Sequence, residues 1–130
     1  MITGIGVDIV NVQRMKRWRQ IPGILERFFH PEELNAAFSR RGAADLSLAA
    51  RFAAKEAFGK ALGTGLNGIV LKDIMVINHH NGRPEIRIFG TALSALEKSG
   101  SNRVHVSLTH DRDSAVAMVV MELLTNMKEA

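Results

Sequence analysis

Residues 51–63 read RFAAKEAFGKALG, and in this run Glu56 and Lys60 stand four apart. At about 100° per residue they share one helical stripe with Ala49, Phe52 and Ala53, so an acid and a base lie on a side that should be buried. Asp8 is equally out of place. It interrupts the apolar stretch ITGIGVDIV, residues 2–10, where an ionised carboxylate is costly to bury unless it is paired or bound to a cation. Two carboxylates from different elements, completed by phosphate oxygens and water, make the hard-oxygen octahedral site that Mg²⁺ prefers. Lys60, one turn after Glu56, could reach the same place and neutralise a phosphate. Plainer roles also exist: Asp8 as a turn or cap acid near Asn11, and Glu56 with Lys60 as a helix pair worth about 0.2–0.5 kcal/mol.

Other polar residues are less telling. GTGLNG, residues 63–68, could lay backbone N–H groups against a phosphate, but it lacks the GxxxxGK[ST] spacing of a P-loop. His79 and His80 adjoin a turn signal, where exposure is expected. His105 and His110 flank VSLT on an expected strand, and an odd spacing sends them to opposite faces, away from a common metal. His110, at the strand end, is the better candidate for a substrate contact. The chain has no cysteine, so any metal must be held by oxygen or nitrogen, and a reducing cytoplasm is the expected location.

The net charge is +4, and its distribution says more than its size. Arg14, Lys16, Arg17 and Arg19 crowd one short stretch, followed by Arg27, Arg40, Arg41 and Arg51, which suggests an anionic partner. Nucleic acid is disfavoured: aromatics make up only 5% of the chain, there is no Tyr for stacking, and no zinc-finger spacing is present.

These residues need a frame to hold them. With 130 residues, 46% hydrophobic and 23% charged, the chain reads as one soluble domain spanning 1–130, with no run long enough to cross a bilayer and no signal peptide in MITGIGVDIV. Residues 2–10 are β-branched with two glycines, as in a buried strand closely approached by other backbone. Asn11 can cap a short helix over VQRMKRWRQ that Pro22-Gly23 breaks, and Pro31 opens another. Ala43 to Leu62 is the longest helix, closed by Gly63 and apolar nearly all round, which predicts an oligomer interface. VLKDIMVINHH and RPEIRIF form a hairpin about Asn81-Gly82, with Pro84 opening the return strand. TALSALEKSG is a helix started by Thr91 or Gly90, RVHVSLT and SAVAMVVMEL are strands joined by HDRD, and the tail TNMKEA frays. The pattern is α+β, a mostly antiparallel sheet packed on a long central helix.

Taken together, GIGVDIV, RFAAKEAFGKALGTG, NGRPEI and VHVSLTHDRDSAVAMVV resemble holo-acyl-carrier-protein synthase, the small bacterial type of 4′-phosphopantetheinyl transferase. The match covers nearly the whole chain in order, and GxD followed about fifty residues later by F-A-x-K-E-A-x-x-K is its specific part; Val10 to Ala43 follows the pattern only loosely. The resemblance implies transfer of phosphopantetheine from coenzyme A to a serine of apo-acyl carrier protein for fatty acid biosynthesis, with release of adenosine 3′,5′-bisphosphate. Asp8 and Glu56 would hold Mg²⁺ against the pyrophosphate, and Lys60 would contact the phosphates. Arg51, Gly63, Thr64, Gly65, Pro84 and His110 would border the nucleotide. Removal of the serine proton would fall to Glu56 or to a metal-activated water. Arg14, Arg17 and Arg27, with Lys16, would orient the acidic carrier protein, and Met15 or Trp18 would add apolar contact. A homotrimer with sites shared between neighbours would account for the apolar central helix. A basic module that docks carrier domains without chemistry and a nucleic-acid-binding domain are the competing readings.

Overall fold

The computed structural model describes residues 1–125. Most of the tail expected to fray, from residue 126 on, lies outside them. Strand β1 (Ile2–Asn11) runs antiparallel to β5 (Ser114–Glu122), which pairs on its other edge with β4 (Arg103–His110), so the order is β1-β5-β4. A separate hairpin joins β2 (Ile74–Asn78) to β3 (Pro84–Ile88) around Asn81-Gly82. The helices are α1 (Val12–Arg19), α2 (Ile24–Phe28), α3 (Pro31–Phe38), α4 (Ala44–Leu62) and α5 (Gly90–Lys98). The antiparallel α+β expectation holds.

Local chemistry explains most boundaries. Asn11 caps α1, its Oδ1 accepting from the Gln13 N–H at 2.8 Å. His30 and Glu33 form a reciprocal capping box ahead of Pro31, and α4 stops where Gly63 takes a left-handed φ of 82°. Two features differ from the sequence reading for identifiable reasons. Helix α2 has only five residues, too few for a helical period to show in sequence. Residues 71–73 form a 3₁₀ turn and not strand, so β2 begins at Ile74. Helix α5 starts at Gly90, one of the two expected starts, with Phe89 as its N-cap, and Thr91 lies inside it, its N–H and hydroxyl both donating to Asp73 Oδ2, at 2.8 and 2.6 Å.

Helix α4 is the axis of the core. Leu48, Ala49, Phe52, Ala53, Ala57 and Phe58 are all buried, with the three-stranded sheet on one flank and α1, α3 and β2 on others. Its all-round apolarity is therefore satisfied within the protomer, which overturns the expectation that this helix forms an oligomer interface. The apolar surface left over lies elsewhere. Ile5, Val7 and Ile9 of β1 and Met118 of β5 project from the sheet's outer face and are 46% to 64% exposed. Register sets Val7 beside Met118 and Ile9 beside Val116, so these side chains form one continuous patch.

What fixes the sheet against α4 is the absence of side chains. A Cβ on Gly6 would lie 2.0 Å from the Ala57 carbonyl oxygen, and one on Gly4 would lie 2.0 Å from that of Ala61. Strand backbone thus rests directly on helix backbone, as the two glycines in the first strand suggested. Gly6→Ala is expected to destabilise the protein by about 3 kcal/mol or more in urea unfolding, because a backbone clash cannot be relieved by a rotamer change. A loss under about 0.5 kcal/mol, the usual scale of a harmless substitution, would contradict this contact.

Candidate active site

Period-two alternation carries the inner face of β1 from Gly4 and Gly6 to Asp8, beside the end of α4. There Lys60 Nζ donates to Asp8 Oδ1 at 3.0 Å and to the Val7 carbonyl at 3.0 Å. The helix stripe noted in the sequence climbs out of the core to meet them: Ala49, Phe52 and Ala53 are buried, Glu56 is half-buried and Lys60 is exposed. Asp8 does not act as a helix cap, since Asn11 holds that role. Lys60 has Asp8 as its ion-pair partner, across elements and not along the helix.

Glu56 is held in an environment that opposes its charge. Burial pushes its carboxyl above the ordinary value of 4.5, the negative charge of Asp8 pushes the same way, and Arg14 and Lys60 pull back. Arg14 is itself fixed, its guanidinium 4.9 Å from the Phe52 ring centre and 5.0 Å from that of Trp18. Two mutually repelling carboxylates at a partly open surface fit a hard divalent cation. Among the described residues no group of three or more His, Cys, Asp or Glu side chains could hold a metal. A cation at Asp8 and Glu56 would draw its remaining ligands from substrate oxygens and water, which suits Mg²⁺.

Arg51, Pro84 and His110 meet elsewhere. They line a cavity of about 450 Å³ together with Arg40, Ser47 and Asn78. Arg51 is a wall of this cavity and not a free cation: Nε donates to Ser47 Oγ at 3.2 Å, Nη2 to Asn78 Oδ1 at 3.1 Å, and Nη1 to the Val76 carbonyl. Arg40, Ser47, Asn78 and Thr109 also line it and were not singled out in the sequence. Arg40 was legible only as one of many arginines, and Asn78 only as the residue before a turn.

The turn after α4 offers fewer free backbone donors than its glycines suggest. The Gly63 N–H bonds the Lys60 carbonyl and the Gly65 N–H bonds that of Gly59, each at 3.0 Å, so both amides close the helix and are not free for a phosphate. Thr64 is exposed between them. On the first helices, Lys16, Arg17 and Arg27 are exposed, and Trp18 is half-buried against Phe28 and Phe52. Met15 has no exposed surface. It packs in the core and cannot supply a surface contact, a correction that follows from which side of α1 faces α4.

The two clusters do not meet within the protomer. Asp8 sits on β1 and His110 on β4, the opposite edges of the sheet, with β5 between them. The mutual repulsion at the first cluster makes a direct prediction. Asp8→Asn should lower the Glu56 pKa toward its ordinary value, read by carbon NMR of the side-chain carboxyl, whereas an unchanged titration would separate the two groups. Because the folded Glu56 pKa is raised, its contribution to stability is present below the unfolded value and lost as pH rises through the folded one. The melting temperature of metal-free protein should fall across that window, and less so in Asp8→Asn.

Comparison with known proteins gives the family. The 4′-phosphopantetheinyl transferase superfamily model matches residues 4–119. A holo-[acyl-carrier-protein] synthase of Treponema denticola is 56% identical over 122 residues, covering 94% of this chain and 99% of that protein. A Treponema pallidum counterpart is 45% identical over 122 residues, covering 94% and 97%. Among solved structures, the Neisseria meningitidis synthase aligns with a TM-score of 0.81 at 40% identity, covering 94% of this chain and 99% of that one. The Bacillus anthracis synthase, solved in complex with CoA (3′,5′-ADP), aligns with a TM-score of 0.80 at 34% identity, covering 95% and 99%. The chain belongs to the holo-acyl-carrier-protein synthases, within the 4′-phosphopantetheinyl transferase superfamily.

Proposed function

We propose that this chain, as a single transferase domain, moves the 4′-phosphopantetheine arm of coenzyme A onto a serine of apo-acyl carrier protein, in the cytoplasm and for fatty acid biosynthesis. The observation that carries this reading is the meeting of Asp8, Lys60 and a half-buried Glu56 of raised pKa, in a chain of this family. The serine oxygen forms a bond to the β-phosphorus, the bond from that phosphorus to the bridging oxygen breaks, and adenosine 3′,5′-bisphosphate departs. Such a reaction needs positioning and charge neutralisation more than covalent chemistry from the protein.

Asp8 and Glu56 are the residues that would hold Mg²⁺. When bound, the cation would offset charge on the pyrophosphate and the departing phosphate. Lys60, its side chain 55% exposed, is long enough to turn from Asp8 toward a phosphate. The serine proton passes to Glu56 or to a water beside it. The cavity bounded by Arg51, Pro84 and His110 takes the nucleotide, with Arg40 supplying positive charge toward its phosphates. Lys16, Arg17 and Arg27 face outward on α1 and α2, where an acidic carrier protein would be steered by charge, and Arg14, stacked on Trp18, lies close enough to Glu56 to act on its charge.

The same reading explains why the two clusters occupy opposite edges of one sheet. In a cyclic homotrimer each subunit's β1 edge faces its neighbour's β4 edge, and a shared site forms at each junction. The apolar outer face, from Ile5 to Met118, is the surface such an assembly would cover.

Mass spectrometry of an apo-acyl carrier protein incubated with this protein, coenzyme A and Mg²⁺ tests the reaction. A gain on the order of 340 Da, the mass of the transferred arm, should appear with metal and vanish with EDTA, as expected of metal-assisted phosphoryl transfer. Asp8→Ala and Glu56→Ala should each remove the gain while leaving the circular dichroism spectrum intact. A gain that persists in EDTA or in both variants would overturn the assignment of these carboxylates, and a folded wild-type protein that modifies no carrier would overturn the transferase reading.

A further inference from the structure

Lys55 immediately precedes Glu56, yet it faces a different part of the protein. It is fully buried, and its Nζ donates to Glu33 Oε1 at 2.7 Å, to the Leu71 carbonyl at 3.0 Å and to the Ile74 carbonyl. Glu33 of α3, 1% exposed, is equally engaged: Oε1 also accepts from the His30 N–H at 3.0 Å, and Oε2 accepts from the Val76 N–H at 3.1 Å. One turn earlier on α4, Arg51 bonds the Val76 carbonyl and Asn78.

These partners share a geometry. The Ile74 carbonyl and both backbone groups of Val76 lie on the edge of β2 that faces away from β3, because residues 73 and 79 are the ones bonded toward the returning chain. Strand β2 therefore has a buried edge completed by Lys55, Glu33 and Arg51 in place of another strand. Left unpaired, those backbone groups would each be costly. A buried ion pair contributes little net stability over an apolar substitute, so its value here is better sought in what it holds in place. It holds the hairpin. Asn78, Gly82 and Pro84 of that hairpin wall the cavity next to Arg51, and a one-residue slip of β2 would turn Asn78 to the other face.

We propose that Glu33 and Lys55 are a positioning pair that fixes the register of the β2–β3 hairpin on α4 and thereby sets affinity for the nucleotide part of coenzyme A without touching it. This rests on the nucleotide assignment made under the proposed function. The double variant Glu33→Gln/Lys55→Met is the direct test, since it removes both buried charges together and the amide oxygen retains an acceptor for the Val76 N–H. Its KM for coenzyme A and its Kd for adenosine 3′,5′-bisphosphate, by calorimetry, should rise together by about tenfold, with kcat changing less than about threefold. KM for the carrier protein and the half-saturating Mg²⁺ concentration should stay within about twofold, because the Asp8 side of α4 is untouched. A purely structural role would lower the active fraction and leave these constants alone.

A folded variant with unchanged KM and Kd, or a kcat that falls with KM and Kd unmoved, would overturn the proposal. If the double variant does not fold, Glu33→Gln alone should show the same pattern at about threefold, and its failure to fold would assign the pair to stability and overturn the proposal too. Wild-type protein that binds no adenosine 3′,5′-bisphosphate would instead sink the nucleotide assignment, and this inference with it.

Discussion

The contact on which the site depends is the one between the backbone of β1 and the backbone of α4. With no side chain at Gly4 or Gly6, the strand lies against the carbonyls of Ala61 and Ala57, and the small residues Ala53, Ala115 and Ala117 are buried in the same core. Both separation and register are thereby set. A slip of one residue would send Asp8 to the outer face, away from Lys60 and Glu56, and bring Val7 inward. The glycine pair is thus a condition for the proposed site as much as for packing.

Helix α4 presents different chemistry on its different sides, and consecutive residues can belong to separate tasks. Lys55 has every donor occupied and no surface, which makes it a fastener. Glu56, about 100° further round, is half-buried among groups that disfavour its charge, which makes it responsive to a cation or a proton. Arg51 resembles Lys55 in its commitments but borders the cavity. In this protein the degree to which a charged group is already partnered separates positioning from reaction better than its residue type does.

The parts legible in sequence were those written locally. A β-branched apolar stretch with two glycines marked β1, apolar strand patterns marked β4 and β5, Asn81-Gly82 marked the hairpin, and Asn11, Pro31 and Gly63 marked helix ends. Asp8, Glu56 and Lys60 were visible because a charged group in an apolar pattern demands compensation. What stayed hidden required knowing the tertiary neighbours. Arg51 and the two turn glycines have bonding capacity that the sequence cannot show to be spent. Met15 and Trp18 sit three apart on α1, and only packing against α4 decides that Met15 is enclosed and Trp18 is not. The Glu33–Lys55 pair joins residues 22 apart and left no periodic trace. The apolar character of α4 shows in the sequence but its cause does not, because the covering elements come from both ends of the chain.

Under the proposed function, catalysis needs both edges of the sheet, the Asp8 edge of one subunit and the cavity edge of the next. Subunit mixing tests it most directly. An Asp8→Ala protein and an Arg40→Glu/His110→Glu protein, each inactive alone, would be unfolded, combined in equal amounts, refolded and assayed for carrier-protein modification. Random assembly of a ring with shared sites predicts recovery of about a quarter of wild-type activity, since half the first positions and half the second are intact independently. No recovery from a properly reassembled mixture would place both clusters of each working site in one subunit and contradict sharing between neighbours.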